Sequence, residues 1–521
     1  MNSFVLGLVV MVYFLSLAFL GWLGYKKTKS ADDYLVGGRK MNPYVMALSY
    51  GATFISASAI VGFGGVSAAY GMGIQWLCML NMLIGVVVAF ICFGRPTRRL
   101  GAKLNAGSFP QLLGYFYKSK GIQIFIAAVI FLGMPLYAAA VLKGGAVFIE
   151  QIFRIDYDVA LLVFTLIIAA YVIAGGMKGV MYTDALQAVI MFICMLFLLF
   201  WFYRTLGMGF SEANVALTNI ADKVPDSLRE QGHLGWTVMP AFNSPRWYIL
   251  VTSLILGVGI GCLAQPQLVV RFMTVDSTKQ LNRGVLIGCV FLIVTVGAIY
   301  HVGALSNLFF LKTEGKIATE ILPDIDKIIP YFISKSMPEW FSAVFMLCIL
   351  SASMSTLSSQ FHTMGAAAGA DIYSRLTSHR GAKNTTSITR LGVLFSILVS
   401  YIVCYTLSSS IIARATSIFM GVCASTFLPA YFCALYWKKV TKVGAMASLC
   451  VGTTASLFAL MFLHKSESAT LGICNSIFGV DCLFQTYPFY MIDPILMAFP
   501  LTCVTIVVFS LLTRDRSISG K

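Results

Sequence analysis

The residues best placed to do chemistry form a hydroxyl run, Ser351-Ala-Ser353-Met-Ser355-Thr356-Leu-Ser358-Ser359-Gln360, inside an otherwise apolar stretch. On a helix, Ser355, Ser358 and Ser359 share one face through i,i+3 and i,i+4 spacing. Their hydroxyls are neutral oxygen donors, suited to a monovalent hard cation that several carboxylates would bind too tightly. Serines in helices also bond their own carbonyls, but six hydroxyl residues in nine positions exceed that use. Two more apolar stretches carry small or helix-breaking residues: Ser49-Tyr-Gly-Ala52-Thr53-Phe54-Ile55-Ser56-Ala-Ser-Ala-Ile-Val-Gly-Phe-Gly-Gly65 and Gly257-Val-Gly-Ile-Gly261-Cys-Leu-Ala-Gln265-Pro-Gln267. Unwound backbone there exposes carbonyls that ligate a cation and amides that hold an anion. Close packing through small residues is the competing use; the matched placement of the two interruptions favours binding. Asp184 opens another apolar run, in Gly175-Gly-Met-Lys-Gly-Val-Met-Tyr-Thr-Asp184-Ala-Leu-Gln187. It is either a cap at a helix entrance or, if deeper, a functional charge.

The elements that must position these groups are membrane helices. Of 521 residues, 58% are hydrophobic and only 11% charged, less than half the roughly 25% of soluble domains. The mean hydropathy is +0.84, which leaves too little polar surface for a water-soluble globule. Apolar runs between charged breaks predict thirteen spans, near 4–25, 43–70, 73–94, 122–150, 157–175, 180–203, 247–271, 284–311, 339–372, 388–408, 412–437, 441–463 and 488–512. The chain therefore reads as one all-α polytopic transmembrane domain, 1–521. The net charge of +16 sits in small groups between spans, a topology signal rather than a nucleic-acid face. With the N-terminus outside, 25 of the 37 basic residues fall inside, among them Arg271, Arg380, Arg514, Arg516 and Lys521; eleven fall outside and Lys143 lies within a span. This predicts a cytoplasmic C-terminus in a plasma membrane, the inner membrane if bacterial.

Setting aside the leading helix (4–25), spans two to six (43–203) and seven to eleven (247–437) form two groups of five, followed by two C-terminal helices (441–512). An odd number per group inverts the second, an arrangement suited to two halves rocking about a central site. Catalysis is not expected: His301 and His362 are isolated, and neither a zinc-binding His-x-x-Glu-His-type motif nor a Gly-x-Ser-x-Gly elbow occurs. Most cysteines lie in apolar runs, while Cys474 and Cys482 share a polar loop where they could pair in an oxidising space. The first span ends in Gly-Tyr-Lys-Lys without a small-residue cleavage site, so no cleavable leader is expected. Nine residues follow the last span, which disfavours an appended sensor domain.

The span count, the Gly175–Gln187 motif, the stretch from Gln265-Pro266 to Arg271-Phe-Met273 and the Ser355-Thr356-Leu357-Ser358 segment together resemble the sodium/solute symporter family. That family includes proline, pantothenate, sialic acid, sugar and monocarboxylate carriers. The resemblance implies a LeuT-type five-plus-five inverted repeat with a leading extra helix. It implies a sodium site built from the backbone carbonyls of Ala52, Ile55 and Ala352 with the hydroxyls of Ser355 and Thr356. A second sodium would use Asp184, Ser358 and Ser359, with Ser355 shared. One or two co-transported Na+ are thus expected, with proton coupling or a nutrient sensor on the same fold as alternatives.

Lys143 is the remaining oddity, a lysine in Met134-Pro135-Leu-Tyr137-Ala-Ala-Ala-Val-Leu-Lys143-Gly-Gly. Such a charge costs about 2.5–3.5 kcal/mol near a helix centre and needs a partner or a wet cavity. It is expected to meet a solute carboxylate, or otherwise to snorkel outward or pair with Glu150. By the resemblance, Tyr137 falls at a cavity aromatic. Thr53, Phe54, Ser56, Gln75 and Gln265 are further lining candidates by position. The expected partners are a small organic solute bearing a carboxylate and the lipid bilayer, with no nucleic acid and no obligatory protein.

Overall fold

Where the chain bends, residue type explains the bend. The computed structural model describes residues 3–377, 382–408 and 411–513; Arg380, Arg514, Arg516 and Lys521, counted above as orienting charges, lie outside them. Every regular element among the described residues is helical. After α1 (Ser3–Lys27), α2 (Pro43–Phe54) starts at Asn42, whose side chain accepts from Tyr44 N at 2.9 Å. Pro43 takes the first helical position, where its missing N–H costs nothing. Ile55 then turns extended (φ −95°, ψ 109°), and α3 (Ser58–Tyr70) resumes at 54° to α2. β-Branched Thr53 and Ile55 and the flanking serines are weak helix formers, so the break falls where local preference least opposes it.

α4 (Met72–Leu104) leads to α5 (Lys120–Phe153), whose first turn is capped by Ser119. In α6 (Tyr157–Leu206), Gly176 sits at φ +58°, ψ 178°, a conformation that only glycine adopts without strain. The expected spans 157–175 and 180–203 are thus the two arms of one helix that departs from helical geometry at Gly176. α7 (Pro245–Ala264) stops at Gln265 (φ −67°, ψ 115°), and α8 (Pro266–Phe272) follows. Proline lacks the N–H and pushes its predecessor out of helical geometry. The second interruption therefore lies at Gln265–Pro266, while Gly257 and Gly261 remain helical.

α9 (Thr278–Glu314), α10 (Glu339–Leu376), α11 (Ala382–Thr406), α12 (Ile412–Tyr436), α13 (Lys442–Leu463) and α14 (Pro494–Leu512) complete the bundle. Eleven described helices are long and apolar enough to cross a membrane, and the bent α2–α3 pair makes a twelfth. The apolar window of α10 is 94% buried, against 17% for α1 and 28% for α13 and α14. The hydroxyl-rich helix is thus the axis of the bundle, and the leading and C-terminal helices lie at its edge. Cys474 and Cys482 are both free thiols, so the disulfide considered above is not formed.

Candidate ion and solute sites

The break between α2 and α3 lies against α10, and the hydroxyl run faces it. Ser355 Oγ donates to Ala52 O at 2.9 Å and to Ser351 O and Ala352 O at 2.8 and 3.2 Å. Thr356 Oγ1 donates to Thr53 O at 3.0 Å and Ile55 O at 3.5 Å. The five oxygen-bearing residues expected to ligate sodium, Ala52, Ile55, Ala352, Ser355 and Thr356, are therefore brought together, all buried. Thr53 adds a carbonyl that the expected set lacked. Each hydroxyl proton can rotate away to present a lone pair, so the donor set is neutral oxygen from two helical elements.

Asp184 lies beside this cluster, and it is no surface cap: its exposure is 0%. Its Oδ2 accepts from Ser49 Oγ at 2.8 Å, Thr53 Oγ1 at 3.3 Å and Arg271 Nη2 at 2.8 Å, and Ser358 Oγ donates to Oδ1 at 3.5 Å. Arg271, counted above among the basic residues that orient the chain, is instead 1% exposed. α8 continues the chain beyond Pro266 and carries the guanidinium back into the bundle, where Nη1 donates to Gln267 O at 2.6 Å. Its Nε donates to Ser49 at 3.0 Å and its Nη2 to Ser359 at 2.6 Å. Ser358 thus reaches Asp184 directly, whereas Ser359 meets it only through Arg271 and Thr53, and a fixed cation shares the site. The signal in sequence was an arginine one turn past a proline break, inside an apolar stretch.

On the other side of the break, a cavity is lined by Phe54, Ile55, Ser56, Asn81, Tyr137 and Tyr300, together with Thr416 and Met420. About 20 Å³ is open to the centre of a water molecule, room for roughly one water. Of the candidates named from sequence, Phe54, Ser56 and Tyr137 line this cavity. Asn81, Tyr300, Thr416 and Met420 were not anticipated, because ordinary helix positions carry no mark of what they face. Asn81 Oδ1 and the nearby Ser58 Oγ are buried without a hydrogen-bond partner, and buried polar atoms of this kind call for a partner.

The other lining candidates lie elsewhere. Thr53 Oγ1 meets Ser359 Oγ at 3.0 Å in the Asp184 cluster, Gln75 Nε2 donates to Gly297 O at 3.2 Å, and Gln265 Oε1 accepts from Gln267 at 2.7 Å. Lys143 does not line the cavity: its ammonium donates to Leu407 O at 2.9 Å and Ser408 O at 2.7 Å, just past the end of α11. Helix C-termini present unpaired carbonyls, which attract a lysine. Glu150 pairs with Lys327 at 3.3 Å. Near Lys143, in the loop before α10, buried Asp326 accepts from Ile412 N at the start of α12 at 3.3 Å. Burial, with Asp324 beside it, pushes the Asp326 carboxyl up to about 7, while Ile412 N–H and Lys143 oppose the rise. Among the described residues no group of three metal-ligating side chains occurs.

The model of the sodium:solute symporter family matches residues 34–452. The osmoregulated proline transporter OpuE of Bacillus subtilis (strain 168) is 26% identical over 451 residues, 86% of this chain and 87% of that one. The sodium/pantothenate symporter of Haemophilus influenzae is 27% identical over 434 residues, covering 82% and 84%. A Na+-coupled sialic acid symporter, solved in a substrate-bound outward-open state, superposes with a TM-score of 0.72 at 17% identity, covering 98% of this chain and 97% of that one.

Proposed function

The chain belongs to the sodium:solute symporter family, and from that premise we propose how its site couples sodium to a small carboxylate-bearing solute. It is a multi-pass membrane protein of LeuT-type fold, a sodium-coupled carrier and not an enzyme. The observation that carries the proposal is the convergence of Ser355 and Thr356 with the Ala52, Thr53 and Ile55 carbonyls at the α2–α3 break. Ile55 belongs to both places, the oxygen cluster and the cavity lining. An ion held by α10 and by the break prefers the arrangement that brings them together, and so biases the conformational equilibrium by its differential affinity. The solute reads the same break from the other side.

Among the described residues the cavity lining carries no acidic or basic side chain. A solute carboxylate is then held by the amide end of α3, whose first N–H groups and helix dipole favour an anion. Asn81 Oδ1 takes a donor group on the solute, and Tyr137 packs its body. Proline, pantothenate and short monocarboxylates all present such a carboxylate, and the named relatives carry the first two. The first sodium site does the coupling. Asp184 is already neutralised by Arg271, so a second ion enters only if the guanidinium withdraws. The halves that move are 43–203 and 247–437, with the N-terminus outside and the C-terminus cytoplasmic.

Sodium-gradient uptake into proteoliposomes, competed by proline, pantothenate and short monocarboxylates, tests the proposal. One of these is expected to be carried, and uptake should cease when choline replaces sodium at fixed pH. Uptake that follows a proton gradient and ignores that replacement defeats it. A monoanion carried with one sodium gives no current, whereas two sodium ions move one net charge, worth about 2.3 kcal/mol per 100 mV.

A further inference from the structure

The lysine-rich end of α1 holds a pocket of about 590 Å³ that transport chemistry does not use. It lies between α1, the turn after the short helix Ala31–Val36, and α6. Five ammonium groups line it, from Lys26, Lys27, Lys29, Lys40 and Lys178, against a single carboxylate, Asp33. Asp33 is already engaged: it pairs with Lys178 and accepts from the Lys29 and Ser30 amides at 3.1 and 3.2 Å. That leaves a pocket with four positive charges in excess.

The pocket is also built for a membrane surface. Lys26 Nζ lies 5.2 Å from the Trp22 ring and Lys27 Nζ 5.4 Å from the Tyr182 ring, the aromatic–lysine pairing of headgroup-level anchors. Leu23 and Met41 give it apolar wall. Directly along α1 from Trp22, the side chains of Leu15 and Phe19 stand 61% and 58% exposed, a strip fit for acyl chains. α1 is locked to α6 beside the pocket, where a Cβ on Gly24 would lie 2.3 Å from Gly179 Cα. The two walls therefore hold their separation.

We propose that this pocket binds the phosphate headgroup of an anionic phospholipid, with the acyl chains lying along the exposed strip of α1. A free phosphate could engage the same lysines; the continuity of the charged pocket with an apolar helix face assigns the lipid.

The test titrates the purified, delipidated full-length protein in neutral detergent with dioctanoyl phosphatidylglycerol, counting bound lipid by native mass spectrometry. Each lysine near an anionic headgroup is worth about fivefold in affinity. The variant Lys26→Gln/Lys27→Gln/Lys40→Gln is thus expected to bind about 100-fold more weakly, and phosphatidylcholine to bind neither protein comparably. Asp33→Asn removes the one opposing charge and is expected to tighten binding about fivefold, a gain that misfolding does not mimic. Equal affinity of wild type and triple variant, or no gain in Asp33→Asn, overturns the proposal. Displacement of the lipid by millimolar inorganic phosphate overturns the lipid assignment in favour of a free anion.

Discussion

Removing Arg271 leaves Asp184 as an uncompensated buried charge. The two side chains are 1% and 0% exposed and meet at 2.8 Å. Breaking such a pair from one side costs about 3–5 kcal/mol. Arg271→Gln also forfeits the guanidinium's bonds to Gln267 O, Ser49 and Ser359, and Asp184→Asn strands the guanidinium in turn. The double variant buries no charge and should recover much of the loss, giving a coupling of about 2–3 kcal/mol in a double-mutant cycle. Thermal unfolding in detergent, followed by a thiol-reactive dye at buried cysteines such as Cys348 and Cys423, reads the three variants. Sodium sharpens the outcome. In Arg271→Gln a sodium ion can replace the guanidinium at Asp184, stabilising by about 2.7 kcal/mol at a hundred times its Kd. Asp184→Asn has no carboxylate to offer. Rising sodium should therefore rescue the melting temperature of Arg271→Gln far more than that of Asp184→Asn, and steepen the sodium dependence of its uptake. Neutral single variants, strictly additive losses, or equal rescue by sodium would refute the reasoning.

At the proposed first ion site, Ser355→Ala or Thr356→Ala deletes one oxygen offered to the cation; at about 1.5–3 kcal/mol per charged contact, the sodium concentration for half-maximal uptake should rise about 10- to 100-fold. Asn81→Leu should raise the solute KM about tenfold, whereas Lys143→Gln, remote from the cavity lining, should leave it within about twofold; the reverse pattern would return the solute carboxylate to Lys143. Asp326 has a pH signature. Its folded carboxyl binds its proton up to about pH 7 while the unfolded one releases it near pH 4, so the folded state holds more protons in between and stability falls as pH rises through that window. The melting temperature should be higher at pH 6 than at pH 8, and Asp326→Asn should flatten the difference.

The features legible in the residue string are those that are costly where they stand. A hydroxyl run, a proline, or an aspartate inside apolar helix must be offset by something, and that cost draws attention to the Ser351–Gln360 run, the Gly257–Gln267 interruption and Asp184, while their ion-binding roles come from the resemblance. The thirteen apolar runs reappear as helices, with 157–175 and 180–203 joined as the two arms of α6 on either side of the Gly176 kink. Partners are another matter. Arg271 lies 87 positions from Asp184, and Lys143 lies 264 from the Leu407 carbonyl it bonds. Helical periodicity says which face a side chain shares with its neighbours, not which element will come to lie against it. The same limit explains Thr53 and Phe54: adjacent in sequence, they point to opposite sides of the break, one to the Asp184 cluster and the other to the cavity. Membrane residence, helix count and the existence of the breaks follow from local composition, because the bilayer penalises every unpaired polar group in place. Which charges neutralise each other, and which side of the break carries the oxygen cluster or the cavity, follows from the 54° bend and the packing of α8 and α10 around it, because those contacts join segments that only the folded bundle brings within hydrogen-bonding distance.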